Sequence, residues 1–195
     1  MRFPALLPVL TLVFLLSACG SDSDSPTPAD NADTGGSSGG SGDSGNSTSV
    51  VGNCSLTPDE QALLDAHNAA RAEARVCGTV SMPAAPPLDW HCTLGEVAFA
   101  HSKDMGDNDF FDHTGSDGRS PSRRVKDAGY DYRYTGENIA AGQPDVASVM
   151  QSWIDSPGHC ENLMSPNYTQ MGGGIYSTSS ARYSIYWTVD FGKPK

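Results

Sequence analysis

Residues 54–195 contain no Gly-x-Ser-x-Gly elbow, and the chain has no Cys-x-x-Cys pair and no Gly-x-x-x-x-Gly-Lys loop. The first absence removes the usual setting of an elbow-type serine hydrolase. The second leaves a four-thiolate zinc site without support. The third removes a phosphate-cradling loop, and Gly172-Gly173-Gly174 does not replace it, since no lysine follows. Those glycines read as a strand that allows close backbone approach or a bulge. Basic residues are scarce, 12 against 23 acidic, which argues against nucleic acid, whose affinity rests on neutralising phosphate. No apolar run is long enough to span a bilayer as a stable helix.

The longest such run, Leu6 to Leu16, is short and follows Arg2, as in a signal-peptide core. Leu16-Ser17-Ala18-Cys19 then places small residues before a cysteine, the pattern of lipoprotein processing. Residues 1–18 are expected to be a lipoprotein signal peptide. Cys19 is expected to be the lipidated N-terminus, anchored to a membrane by its acyl chains. The other reading is an ordinary secretory signal with an incidental cysteine. Both place the protein outside the cytoplasm. Ser21, two positions after Cys19, favours an outer membrane or cell-surface location over inner-membrane retention. Residues 19–53 form a Gly/Ser/Asp-rich tether with too little apolar content to fold.

What remains, 54–195, is one domain in size. With Arg2 and the tether's five aspartates set aside, it carries a net charge of −7, a solvated acidic surface. Cys54, Cys77, Cys92 and Cys160 read as two disulfides in an exported chain, and spacing leaves three connectivities open.

Thr57-Pro58-Asp59-Glu60 opens a helix with a capping box. Leu63, Leu64, His67, Ala70 and Ala74 recur at helical spacing, so this helix is expected to run to about Val76. Thr93-Leu94-Gly95-Glu96 repeats the box ahead of a second helix. Ser120-Pro121 starts a short third that Gly129 ends. Residues 145–153 form another, with Val146, Val149, Met150 and Trp153 on one side. Residues 172–176 and 183–191 read as a hairpin, and 137–141 as a third strand. Helices first and strands last imply α+β.

Six segments, in order, carry a resemblance: His67-Asn68-Ala69-Ala70-Arg71, Pro87-Leu88-Asp89-Trp90, Asn108-Asp109-Phe110-Phe111-Asp112-His113-Thr114, Gly136-Glu137-Asn138-Ile139-Ala140, Trp153-Ile154-Asp155-Ser156-Pro157-Gly158-His159, and Tyr186-Trp187-Thr188-Val189-Asp190-Phe191-Gly192. Together they resemble the CAP superfamily, or SCP domain, in its shortened bacterial branch. The resemblance implies an α-β-α sandwich, a small antiparallel sheet flanked by helices, with a central cleft. It implies cleft residues at His113, Glu137 and His159. A second acid, expected soon after Trp153, has no evident match, and Asp155 or Ser156 stands near its place. The disulfides it implies are Cys77–Cys160 and Cys54–Cys92.

Two imidazoles, His113 and His159, are the candidate ligands for zinc or another divalent cation. Glu137 is the candidate catalytic residue, or an acceptor that fixes the imidazole tautomers. His67 and Arg71 read as hydrogen-bond partners in the packing of the first helix, His101 as a packing or helix-surface residue, and His91 as exposed. Ser156 precedes His159 by three residues, proximity in sequence alone. The resulting expectation is an extracytoplasmic binding module for a lipid, peptide or protein ligand rather than an enzyme. A metal-assisted hydrolase of peptide or cell-wall material is the first alternative. A surface adhesion module without an active cleft is the second.

Overall fold

The structure is a computed structural model and describes residues 49–51 and 54–195. The signal peptide, Cys19 and all of the 19–53 tether except Ser49–Val51 lie outside the described residues. Among the described residues no helix is long and apolar enough to cross a membrane. The elements in order are β1 (Ser49–Val51), β2 (Cys54–Leu56), α1 (Pro58–Arg71), β3 (Arg75–Cys77), β4 (Val80–Met82), β5 (Asp89–Trp90), α2 (Cys92–Asp107), α3 (Pro121–Asp127), β6 (Tyr132–Ala141), α4 (Val146–Asp155), α5 (Pro157–Met164), β7 (Gln170–Ser177) and β8 (Ile185–Pro194).

The architecture is the expected α+β sandwich. Its main sheet has the order β5-β7-β8-β6, antiparallel except for the two-residue β5, which pairs parallel with β7. One face packs on α2 and the other on α1, α4 and α5. Period-two alternation along β8 explains both faces. Trp187, Val189 and Phe191 enter the larger core with Leu63, Trp153 and Leu163. Tyr186 and Thr188 face α2, in contact with Met105 and Ser102 respectively.

The glycine run on β7 sets the distance between sheet and α2. A Cβ at Gly172 would lie 2.0 Å from the Gly95 nitrogen, and one at Gly174 would lie 2.0 Å from the Phe99 nitrogen. The helix backbone therefore rests directly on the strand, the close approach read from the sequence.

The capping box of α1 forms as expected: Glu60 N–H reaches Thr57 Oγ1, and Thr57 N–H reaches the Glu60 carboxylate at 2.7 Å. The helix ends at Arg71, not near Val76. Arg75–Cys77 pairs with Val80–Met82 across a turn at Gly78, whose φ is +62°. Cys77 is bonded to Cys160 on α5, so the chain must leave the helix to reach it. The Thr93–Glu96 box, by contrast, does not form. Helix α2 starts at Cys92, with His91 at the N-cap and no side-chain cap. The Cys54–Cys92 disulfide and the 2.8 Å bond from His91 N–H to Met171 O fix the entry instead. Helix α5 has no counterpart among the sequence expectations. Ser156 ends α4 and begins α5 with no loop between, and Pro157 supplies the first turn.

Ala at Gly174 is expected to lower the unfolding free energy by about 3 kcal/mol, because the added methyl meets helix backbone that cannot turn aside. Gly158→Ala, where nothing lies within 4 Å, should leave stability nearly unchanged. Urea unfolding of both variants checks the pair.

Candidate functional site

Strand β6 is a sheet edge, so residues from both helical layers meet along it. His113 comes from the α2–α3 loop. His101, buried on α2, holds that loop by donating from Nε2 to Asp112 O at 3.0 Å. His113 Nδ1–H donates to Glu137 Oε1 at 2.6 Å. The other oxygen, Oε2, accepts from Arg124 Nη2 at 2.5 Å. Arg124 Nη1 donates to the His113 carbonyl at 2.8 Å and to the Arg119 carbonyl at 2.9 Å. One guanidinium from α3 thus fixes both the backbone that carries the imidazole and the carboxylate that orients its ring. Glu137 is buried, while His113 is half exposed.

His159 comes from the first turn of α5. Its Nδ1 lies 2.9 Å from Ser156 Oγ, which is turned to the imidazole and does not cap the helix. Asn138 Nδ2 donates to the His159 carbonyl at 3.1 Å. Asn162 Nδ2 bridges Glu137 O and Asn138 Oδ1 at 3.1 and 3.0 Å, and Tyr168 OH donates to Asn162 Oδ1 at 2.9 Å. Gly136 makes this possible, since a Cβ there would stand 2.3 Å from the Tyr168 hydroxyl. Gly136-Glu137-Asn138 therefore divides its labour into close approach, a carboxylate, and an amide that ties α5 to the sheet.

The result is an open polar cleft of about 520 Å³, lined by His113, Glu137, Ser156, His159, Glu161 and Tyr168 among others. The three matched residues come together in it. Asp155 does not line it and instead accepts from Gln151 Nε2 at 2.8 Å within α4. The acid near the second histidine is Glu161, two residues after His159, which the sequence reading missed. Arg124 was missed as well. Beside Arg123 it carries no distinguishing mark, yet Arg123 is an exposed partner of Asp127 and Arg124 is buried.

The two histidines are biased apart. The hydrogen bond to Glu137 raises the pKa of His113 above the ordinary imidazole value, more than its partial burial lowers it. Burial lowers that of His159, and the charge of His113 adds to this. Each ring's Nδ1 is engaged, so Nε2 is the nitrogen each has left. Both oxygens of Glu137 are taken by protein donors. Two imidazole nitrogens fall short of the three protein ligands of a catalytic zinc centre. Among the described residues no three His, Cys, Asp or Glu side chains converge as metal ligands.

Behind the cleft lies a feature the sequence reading passed over. Asp190 pairs with Glu137 across β6 and β8, is fully buried, and neither of its oxygens has a hydrogen-bond partner among the described residues. Burial, and then the charge of Glu137, raise its pKa well above the carboxylate range, against the opposing charge of Arg124. Of the remaining polar residues, Arg71 donates to the carbonyls of Pro86, Leu163 and Ser165 at 2.8, 2.6 and 3.0 Å. His67 is buried with Nδ1 on Leu63 O at 2.8 Å, and burial pushes its pKa down to about 4. Both are packing residues. His91 is half-buried against Tyr130 rather than exposed.

With this geometry in place, comparison with known proteins decides the family. Residues 64–191 match the Cysteine-rich secretory protein family, CAP. The chain belongs to this family. A relative, the uncharacterized protein YkwD of Bacillus subtilis, is 38% identical over 105 residues, which is 54% of this chain and 39% of that protein. An extracellular protein containing a SCP domain from Bacillus anthracis superposes with a TM-score of 0.58 at 28% identity, covering 71% of this chain and 44% of that one. An outer surface protein from Borrelia burgdorferi gives 0.52 at 28% identity, over 57% of this chain and 80% of that one. The chain thus spans less than half of the first two relatives. The disulfides that the CAP resemblance implies, Cys77–Cys160 and Cys54–Cys92, are those in the structure.

Asp190 yields a pH-dependence with a definite sign. Its folded pKa exceeds its unfolded value, so the stability tied to the neutral form is complete below about pH 4 and is lost as pH rises through the folded pKa. Asp190→Asn, neutral at every pH, should gain on the parent protein progressively from pH 4 upward in urea unfolding. Parallel stability profiles would refute this assignment.

Proposed function

We propose that this CAP domain is an extracytoplasmic binding module, held to a membrane by lipid on Cys19 through the 19–53 tether, with a cleft built to take a polar ligand. The observation that carries the binding reading is the saturation of Glu137. With one oxygen on Arg124 and the other on His113, the carboxylate is a structural acceptor rather than a free base. General-base work needs a group within reach of the proton it removes. The extracytoplasmic location is supported by the signal-peptide pattern, the two disulfides, and relatives described as an extracellular protein and an outer surface protein.

A divalent cation in the cleft rests on His113 and His159 alone, with solvent in the remaining positions. Such a shell holds zinc weakly. The metal-assisted hydrolase loses support on both counts, since its proposed base is occupied and its metal shell is thin. One observation still favours acid–base chemistry: a carboxylate-oriented imidazole, His113, facing the cleft. The adhesion reading, with a vestigial cleft, is disfavoured by the density of fixed polar contacts around the cleft.

Calorimetric titration of the purified protein with zinc, beside His113→Ala, tests the cleft. The expected result is one weak site, with affinity poorer than micromolar, lost in the variant. Stoichiometric zinc that survives dialysis, or zinc-dependent peptide hydrolysis abolished by Glu137→Gln, would transfer the assignment to the hydrolase.

A further inference from the structure

The polar cleft does not end at His159. Beyond Ser156 and His159, which line both spaces, a second chamber of about 230 Å³ continues along β6, walled by Phe111, Ile139, Ala140 and Trp153. Resting on the reading of the cleft as a binding site, we infer that the two chambers together accommodate an extended peptide, with an apolar side chain in the second chamber.

Three observations select this occupant. The first is register. A strand rises about 3.3 Å per residue, so Glu137 and Ile139 are about 7 Å apart along β6. This matches the spacing of side chains i and i+2 in an extended guest, one over each chamber. The second is the chemistry of the lining. The first chamber presents amide, hydroxyl, imidazole and carboxylate groups suited to peptide bonds and polar side chains, and the second is walled by aromatic and aliphatic groups. A chamber of that volume admits one aromatic or branched side chain but not a long acyl tail. The third is that the edge of β6 is already closed. Its carbonyls at Glu137 and Ile139 accept from Asn162 Nδ2 and Trp153 Nε1, each at 3.1 Å. A guest therefore cannot add as a further strand across these positions and is read through its side chains. Glu161 at the rim, on a domain of net charge −7, disfavours acidic guests. Phe111 is the exposed wall, 46% accessible, with its ring edge-on to Tyr183. It is the specificity determinant that can be removed without opening the core.

The experiment is an NMR titration of the full chain with N-acetyl-Ser-Gly-Phe-Gly-Ser amide, its Phe→Ser counterpart, sodium dodecanoate and zinc, using the Trp153 indole, His113 and His159 resonances. The phenylalanine peptide is expected to shift all three and to bind about tenfold tighter than the serine peptide, as one buried aromatic side chain provides. Phe111→Ala is expected to erase that preference. Equal binding of both peptides, or a preference that survives in Phe111→Ala, overturns the second chamber and leaves the cleft as a binding site. Dodecanoate alone shifting the Trp153 indole makes the occupant an acyl chain and overturns the inference. Zinc shifting the histidines while neither peptide shifts anything overturns it too, with the metal reading intact. If no probe perturbs the cleft, the inference and the proposed function fall together.

Discussion

Arg124 and Glu137 form a buried ion pair between α3 and β6, and the geometry of the cleft depends on it. Ionised groups taken out of water are costly unless their hydrogen bonds are made. Here the guanidinium divides its donors among one carboxylate and two carbonyls, and the carboxylate accepts from both sides. His113 is oriented by this arrangement at the level of ring and backbone together. Asp190 completes the electrostatics. Two carboxyls and one buried guanidinium share this region, and burial beside Glu137 raises the pKa of Asp190, whose oxygens have no hydrogen-bond partner among the described residues.

The other wall is held by uncharged groups. Asn138 and Asn162 bind α5 to the edge of the sheet, Gly136 leaves room for them, and the Cys77–Cys160 disulfide anchors the residue next to His159. Arg71 adds a tie from α1 to the segment leaving α5. Each histidine is thus fixed by contacts on its own side of the sheet, one through ions and one through amides. The cleft between them is held by the protein's own contacts, which in the proposed role would reduce the ordering cost of binding.

Much of this was legible in the residues. The capping box at Thr57, the glycine run on β7, the helices after Ser120 and Asp145, and the hairpin all follow from local rules. His113, Glu137 and His159 could be named from their motifs and do share one cleft. What escaped detection depends on distant contacts. The end of α1 is set by where Cys77 must go, and the start of α2 by Cys92 and Met171, neither of which local propensity encodes. Helix α5 was hidden by its direct junction with α4. Arg124 and Asp190 were invisible for a common reason: their role comes from burial beside Glu137, and sequence does not show which of two adjacent arginines turns inward.

The most direct test of the buried pair is a double-mutant cycle on Arg124→Met and Glu137→Gln, read by urea unfolding. Arg124→Met alone should cost about 3 kcal/mol or more, because it strands a buried carboxylate. In the Glu137→Gln background the same change should cost much less, since no charge is left unpaired. Such a coupling confirms that the ion pair holds the cleft together, whereas additive costs would contradict it.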